Sequence, residues 1–428
     1  MALNSRLLRT ILKSVFIFYF LFVRYPVLVI IRILSLGIKR LRQRAIFEKS
    51  NNLKVDLDSS HASHCFHVSS QGELEQVYAL IEKALRENNL ENIEIVYTSS
   101  SVRKNVIALA SLYPNRVRYF ALGLLSFNPF SFYALSQKIT ADTVLMCRYD
   151  FFPELLFLSF SKRLILLNAR VQNKGRLYFK VLKLFNFIVS SSDKDEALLK
   201  SEGLDVYGVA DFRAMRISDR QVASVSCFDF KNFKKACKSW EGKVFCFGSS
   251  WKSDLEEIKF KNYFSNENLY FFFPHQLNDL SIIEHLKYLP SNSKVIKVLD
   301  RYDLVSDIEN GARVFIVSHM GVLCDLYPYF DLVYIGGGFG KSIHSVLEPY
   351  VSGALVFCGP EVNRSSEFDF ITSREPKKLK KVQSSLDMES FFCQNISFVR
   401  RGEDRLEHIK SFKNEHEVLV KKVLGFNE

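Results

Sequence analysis

A chain of 428 residues exceeds one ordinary domain and suits two core-forming domains of common size. With 48% hydrophobic residues, few prolines and unusually frequent Phe (39) and Tyr (18), its composition excludes a disordered or low-complexity chain. The net charge of +12 is concentrated in Arg6, Arg9, Lys13, Arg24, Arg32, Lys39, Arg40, Arg42 and Arg44, all before the first acid, Glu48; this argues against nucleic acid and for a membrane-facing N-terminus.

Residues 1–48 carry two apolar runs, Ser14 to Val23 and Tyr25 to Ile31, separated by Arg24 and followed by the basic run Lys39 to Arg44. Together they are just long enough to span a bilayer, but Arg24 near the middle costs roughly 2.5–3.5 kcal/mol on insertion. A tilted span, an interfacial helix and an amphipathic helix docked on its own domain all fit this pattern. The basic run predicts attraction to anionic lipid on the cytoplasmic side. Next, His61, His64 and His67 with Cys65 read as a solvated connector into a strand, because they lack a recognised metal-ligand spacing. The eight cysteines contain no Cys-x-x-Cys pair and read as small apolar residues of a reduced compartment.

From Cys65 onward, strand-like and helix-like segments alternate. Strands are expected at Cys65 to Ser69, Ile93 to Tyr97, Thr143 to Cys147, Leu164 to Asn168 and Phe187 to Ser190. Helices are expected at Glu73 to Glu87, Val102 to Ser111 and Asp193 to Glu202. Asp211 to Glu241 lacks clear periodicity and reads as an inter-domain linker. A second series begins at Lys243 to Phe247 and continues through Leu269 to Phe273, Val295 to Val298, Val314 to Val317, Leu332 to Ile335 and Leu355 to Cys358. The pattern predicts an α/β protein of two Rossmann-like, doubly wound domains, 49–213 and 214–428, facing a cleft.

Unusual residues fall after these strands, where open sheets of this type bind ligands. Glu73 enters a helix after the first strand, where it either accepts a proton in a cleft or complements the helix dipole. Pro274-His275 and Ser318-His-Met-Gly321 follow later strands. Gly336, Gly337, Gly338 and Gly340 read as a glycine-rich loop between a strand and a helix, allowing close approach of backbone N–H groups to an anion. His344 and Glu348, four apart, would share one helix face, the imidazole toward a phosphate and the carboxylate toward a sugar hydroxyl. A plain glycine-rich turn with a solvated helix face fits the same residues.

Phe66-His-Val-Ser-Ser-Gln-Gly-Glu73, Tyr149-Asp-Phe-Phe152, Gly248-Ser-Ser-Trp251, Pro274-His275, Met320-Gly321 and Gly336 to Gly340 through Glu348 occur in an order and spacing that carry a resemblance. From its N-terminus to about Ile371 the chain resembles the 3-deoxy-D-manno-octulosonic acid (Kdo) transferases of lipopolysaccharide synthesis, membrane-associated glycosyltransferases of the two-Rossmann GT-B fold. The resemblance implies transfer of Kdo from CMP-Kdo to a lipid A precursor, lipid IVA, at the cytoplasmic face of the inner membrane. It implies Glu73 as general base and neither metal nor cofactor. It places the donor among Pro274, His275, Met320, Gly321, Val322, Gly338, Gly340, His344, Ser345, Val346, Leu347 and Glu348.

The chain also departs from the family. Ser345 stands where Asn is common, and Asp211 where a Lys or Arg stabilises transition-state charge. Arg213 or Arg148 would substitute for that cation. Arg148 itself stands where many members carry Glu. Asp150 is the alternative base. A related transferase with another donor or acceptor, and an inert lipid A-binding homologue, are the competing expectations.

Overall fold

A computed structural model of the chain describes residues 2–50, 61–87, 92–125, 128–148, 150–172, 174–227, 229–340, 342–363, 365–394 and 401–426. The chain divides into two compact units, one of residues 1–213 with 419–428 and one of residues 214–418. The helix Leu406–Leu424 therefore begins in the second unit, and its last turns group with the first, where Leu419 packs on Gly208. The expected boundaries assigned all of 214–428 to one domain.

The first unit holds β1 (His64–Val68), β2 (Ile93–Tyr97), β3 (Val117–Ala121), β4 (Thr143–Cys147), β5 (Arg163–Ala169), β6 (Phe187–Ser190) and β7 (Val206–Val209). They form one parallel sheet in the order β3-β2-β1-β4-β5-β6-β7. The second unit holds β8 (Val244–Ser250), β9 (Leu269–Pro274), β10 (Lys294–Ile296), β11 (Val314–Val317), β12 (Leu332–Ile335), β13 (Leu355–Cys358) and β14 (Leu379–Lys381). Their order is β10-β11-β9-β8-β12-β13-β14, again all parallel. The strand order reverses between β1 and β4 in the first sheet and between β8 and β12 in the second, where β11 also lies inside β10 at the edge. Such reversals open a crevice beyond the carboxyl ends of the strands.

The central strands are buried on both faces, which explains why they read as continuous apolar runs rather than alternating ones. The phenylalanine excess serves the second core, where Phe247 and Phe272 stack at 4.2 Å on neighbouring strands and Phe391 and Phe392 close over Phe245.

Two expectations fail here. His64 lies within buried β1 rather than in a solvated connector, and His67, inside the strand expected there, is buried too, with Nε2 bonded to Thr98 Oγ1 at 2.7 Å. The expected linker is helical, at Arg213–Ser226 and Lys231–Ser239. The buried face of its first helix consists of Ala214, Met215, Ser218, Gln221, Ser224 and Val225. Those positions keep helical spacing, but half of them are polar, so a hydrophobic period is invisible. Gln221 and Ser224 make up for it by donating to the carbonyls of Glu348 and Asp325, both at 2.8 Å.

The N-terminal segment forms the helices Ala2–Phe18 and Tyr25–Leu34 joined by a π-helical turn, Tyr19–Arg24, just before Pro26. The stretch Thr10–Leu34 is long and apolar enough to cross a membrane by length and composition. One side of it packs on the first unit, with Phe20 stacked on Phe132 at 4.3 Å and Phe16 against Phe160 at 5.6 Å. Phe18, Phe22, Val27, Ile30 and Ile33 stay exposed. Arg24 pairs with buried Glu154 and donates to the Leu124 carbonyl at 3.0 Å, so the charge has a protein partner. The basic run is partly engaged as well. Arg44 pairs with Glu48, which accepts the N–H groups of Leu124 and Leu125 at 3.1 and 2.8 Å.

Candidate functional site

In the first unit, acids and bases gather where the strand order reverses. Beyond β1, the helix Gln71–Glu87 starts with Glu73 in its first turn, 7% exposed. Its carboxylate accepts the Ser69 N–H at 2.6 Å and the Ser69 hydroxyl at 2.8 Å, which closes the strand-to-helix turn. Burial pushes the Glu73 carboxyl up, the Ser69 hydrogen bonds and Arg148 pull it down, and Asp150 raises it; the net shift is upward. An acid so placed is a stronger base when ionised than one in water, as a proton acceptor requires.

Beyond β4, Arg148 adopts a left-handed backbone with φ of 56°, rare for a residue with a side chain and concentrated at functional turns. Asp150 follows, and its Oδ2 is buried without a hydrogen-bond partner among the described residues. Tyr149 of the same motif lies outside the described residues. Beyond β7, Asp211 is buried and clamped by Arg213, whose Nε lies 2.8 Å from Oδ1. Burial pushes the Asp211 carboxyl up, but the Arg213 charge and hydrogen bonds outweigh it, and the net shift is downward. Arg213 is therefore committed to Asp211 as well as near the site. Gln76, one turn after Glu73 on the same helix, reaches Asp211 Oδ2 at 3.5 Å. Sequence reading missed Gln76, although the three-residue spacing from Glu73 sets both on one helix face.

Residues 39–216 match the family model of the 3-deoxy-D-manno-octulosonic-acid transferases (kdotransferases). These residues are a domain of the Kdo transferase family. The match encloses Glu73, Arg148, Asp150, Asp211 and Arg213. A bifunctional glycosyltransferase/methyltransferase of Fusobacterium nucleatum is 22% identical over 376 residues, covering 83% of this chain and 55% of that protein. The chain thus spans about half the length of the curated relative it matches. Among solved structures, a protein described as a UDP-N-acetylglucosamine 2-epimerase from Listeria monocytogenes superposes with a TM-score of 0.51 at 10% identity, covering 86% of this chain and 98% of that one. The MnaA protein of S. aureus, solved with UDP, gives 0.50 at 13% identity, covering 86% and 98%. At these identities the likeness concerns fold alone. With two seven-stranded parallel sheets, it makes the fold GT-B.

The second unit follows the Kdo-transferase domain, and its expected donor residues distribute unevenly. The glycine-rich loop does follow β12, but the next helix begins at Leu347, so His344 lies in the loop and Glu348 in the helix. The shared helix face is therefore absent. The glycines answer first to internal packing. A Cβ on Gly338 would meet Gly359 backbone at 2.6 Å, and Gly337 has φ of 93°. Buried Asp254 accepts the Gly337 N–H at 2.9 Å and the Trp251 N–H at 2.8 Å, tying the loop after β12 to the loop after β8.

Glu367 occupies the helix entry that was expected to meet an anion. Its Oε2 accepts the N–H groups of Val346 at 2.8 Å and Leu347 at 3.0 Å and the Ser345 hydroxyl at 3.0 Å. Val346 and Leu347 have fully buried side chains, so their contribution is to packing and to this internal cap. Asp254 and Glu367 were missed because each lies in a stretch with no motif of its own.

Other donor candidates are better exposed. Met320 is 81% exposed, and Gly321 follows it with φ of 81°. The Gly321 carbonyl accepts from Arg220, which also grips Asp325 through two bonds of 2.7 Å. Arg220 was not foreseen, since it falls in the presumed linker. His275, beyond β9, stacks on Trp251 at 4.2 Å and on His344 at 4.3 Å. Among the described residues no group of three or more His, Cys, Asp or Glu is placed to hold a metal ion.

Proposed function

We propose that the protein is a glycosyltransferase that moves Kdo from CMP-Kdo to a lipid A precursor such as lipid IVA, with Glu73 as general base. The observation that carries this reading is Glu73 itself: a buried carboxylate with a raised pKa, beyond β1 at the sheet reversal, inside a domain of the Kdo transferase family. Ionised Glu73 would take the proton of an acceptor hydroxyl as its oxygen bonds the anomeric carbon of Kdo. The bond from that carbon to the phosphate oxygen breaks, and CMP departs with the electron pair. His275, Met320, His344 and Glu348 of the second unit would hold the nucleotide, and no metal is required. The apolar stretch Thr10–Leu34 supports action at a membrane surface, which we assign to the cytoplasmic face of the inner membrane.

A second reading, an inert homologue that binds the lipid, is favoured by Asp211, which replaces a cation with an acid and engages Arg213. Incubation with CMP-Kdo and a tetraacylated lipid A precursor, followed by mass analysis of the lipid, separates the two. Growth of the lipid by whole Kdo residues supports transfer. Binding of the lipid precursor without product supports the inert reading, and neither binding of the lipid nor product overturns both.

A further inference from the structure

We propose that Trp251 is a positioning residue that fixes the proton of His344 on Nδ1, making Nδ1–H a directed, uncharged donor to a phosphate oxygen of the bound nucleotide. The inference rests on the donor-site reading above. It starts from a proton count. An indole N–H donates and has no acceptor lone pair, and Trp251 Nε1 lies 3.0 Å from His344 Nε2. His344 Nε2 must then accept, and the single proton of a neutral imidazole is left on Nδ1.

The ring geometry agrees. The planes of Trp251 and His344 differ by 8° with centroids 6.3 Å apart, the arrangement of two rings joined edge to edge in one plane. His275 lies across both, 23° from the Trp251 plane and 20° from that of His344, and covers their seam. Trp251 follows β8, His275 follows β9 and His344 follows β12, three adjacent strands at the reversal of the second sheet. Burial and neighbouring His275 hold His344 below the ordinary imidazole range, which keeps it neutral at pH 7. Among the described residues, its Nδ1 has no hydrogen-bond partner.

Side-chain ¹⁵N spectra of the full-length protein with labelled histidine test the lock without any ligand. The parent should show His344 protonated at Nδ1 and bare at Nε2. Trp251→Phe keeps an aromatic face for His275 but has no N–H, and should give a mixture of tautomers. Calorimetric titration with CMP should then show binding weakened roughly 3- to 10-fold, because the competent Nδ1–H tautomer is then only about a tenth to a third of the population. A parent His344 protonated at Nε2 overturns the proposal, and so does Trp251→Phe with CMP affinity unchanged. If that variant fails to fold, the parent spectrum decides. A parent with the expected tautomer that binds no CMP overturns the phosphate role together with the donor-site reading, while the tautomer itself stands measured.

Discussion

Glu73→Gln separates catalysis from helix capping, because the two roles predict opposite pairs of results. The substitution keeps the size of the side chain and an oxygen for the Ser69 hydrogen bonds but removes the ability to take a proton. If Glu73 is the base, turnover falls by roughly 10²–10⁴-fold, equivalent to about 2.7–5.5 kcal/mol of barrier. The stability effect has its own sign. Burial raises the folded-state pKa of Glu73 above its unfolded value, so its contribution is fully present below the unfolded pKa and is lost as pH rises through the folded one. At about pH 8 the ionised side chain therefore costs stability that uncharged Gln does not. The Tm of Glu73→Gln should be unchanged or higher there, with the difference shrinking on acidification. The assay pairs calorimetry at several pH values with product formation from CMP-Kdo. A variant that binds CMP and retains more than about a tenth of parental turnover would refute the assignment of a base. A lower Tm at alkaline pH with turnover intact would make Glu73 a cap, worth a few tenths to about 1 kcal/mol.

Glu367→Ala should cost about 2–4 kcal/mol in urea unfolding, since it strands the buried N–H groups of Val346 and Leu347; a loss under half a kilocalorie would show that other groups recapture them. Arg24→Ala leaves Glu154 buried without its partner and should destabilise the first unit by about 3–5 kcal/mol, read by denaturant titration. For the same reason, removal of residues 1–48 should lower the Tm as well as release the protein from membranes. Asp211 has a depressed pKa, so its stabilisation is present above the unfolded pKa and lost as pH falls through the folded one. Asp211→Asn should accordingly lower stability at neutral pH and flatten the acid limb of a Tm-versus-pH curve.

The strands were legible because parallel strands covered on both faces must be continuous apolar runs, as Val314 to Val317 and Leu332 to Ile335 are. A strand with polar, partly buried positions was not: β3 contains Arg118 and Tyr119, and it passed unnoticed between two helices. Glu73, Asp150 and the glycine-rich loop stood out because the ends of strands are where such folds place chemistry. Their partners did not, because a hydrogen bond across the fold leaves no local trace. Nothing near Glu367 in sequence announces that its carboxylate caps a helix about twenty residues upstream. Likewise Arg24 looked misplaced in an apolar helix until Glu154, in a different segment, answered it.

The chain has two tryptophans, Trp240 and Trp251, and both belong to the unit of residues 214–418. Intrinsic fluorescence excited at the indole band is therefore a reporter of that unit alone, whereas circular dichroism sums over both. Coincident transitions by the two optical probes would mean that the halves unfold as one cooperative system; separated midpoints would resolve the stability of each half within the intact chain. Trp251 adds a local signal to the global one, since its indole is stacked on His275 and bonded to His344, and its emission should respond to any ligand that disturbs that contact. The same two side chains thus make this protein its own optical titration device, with no label attached.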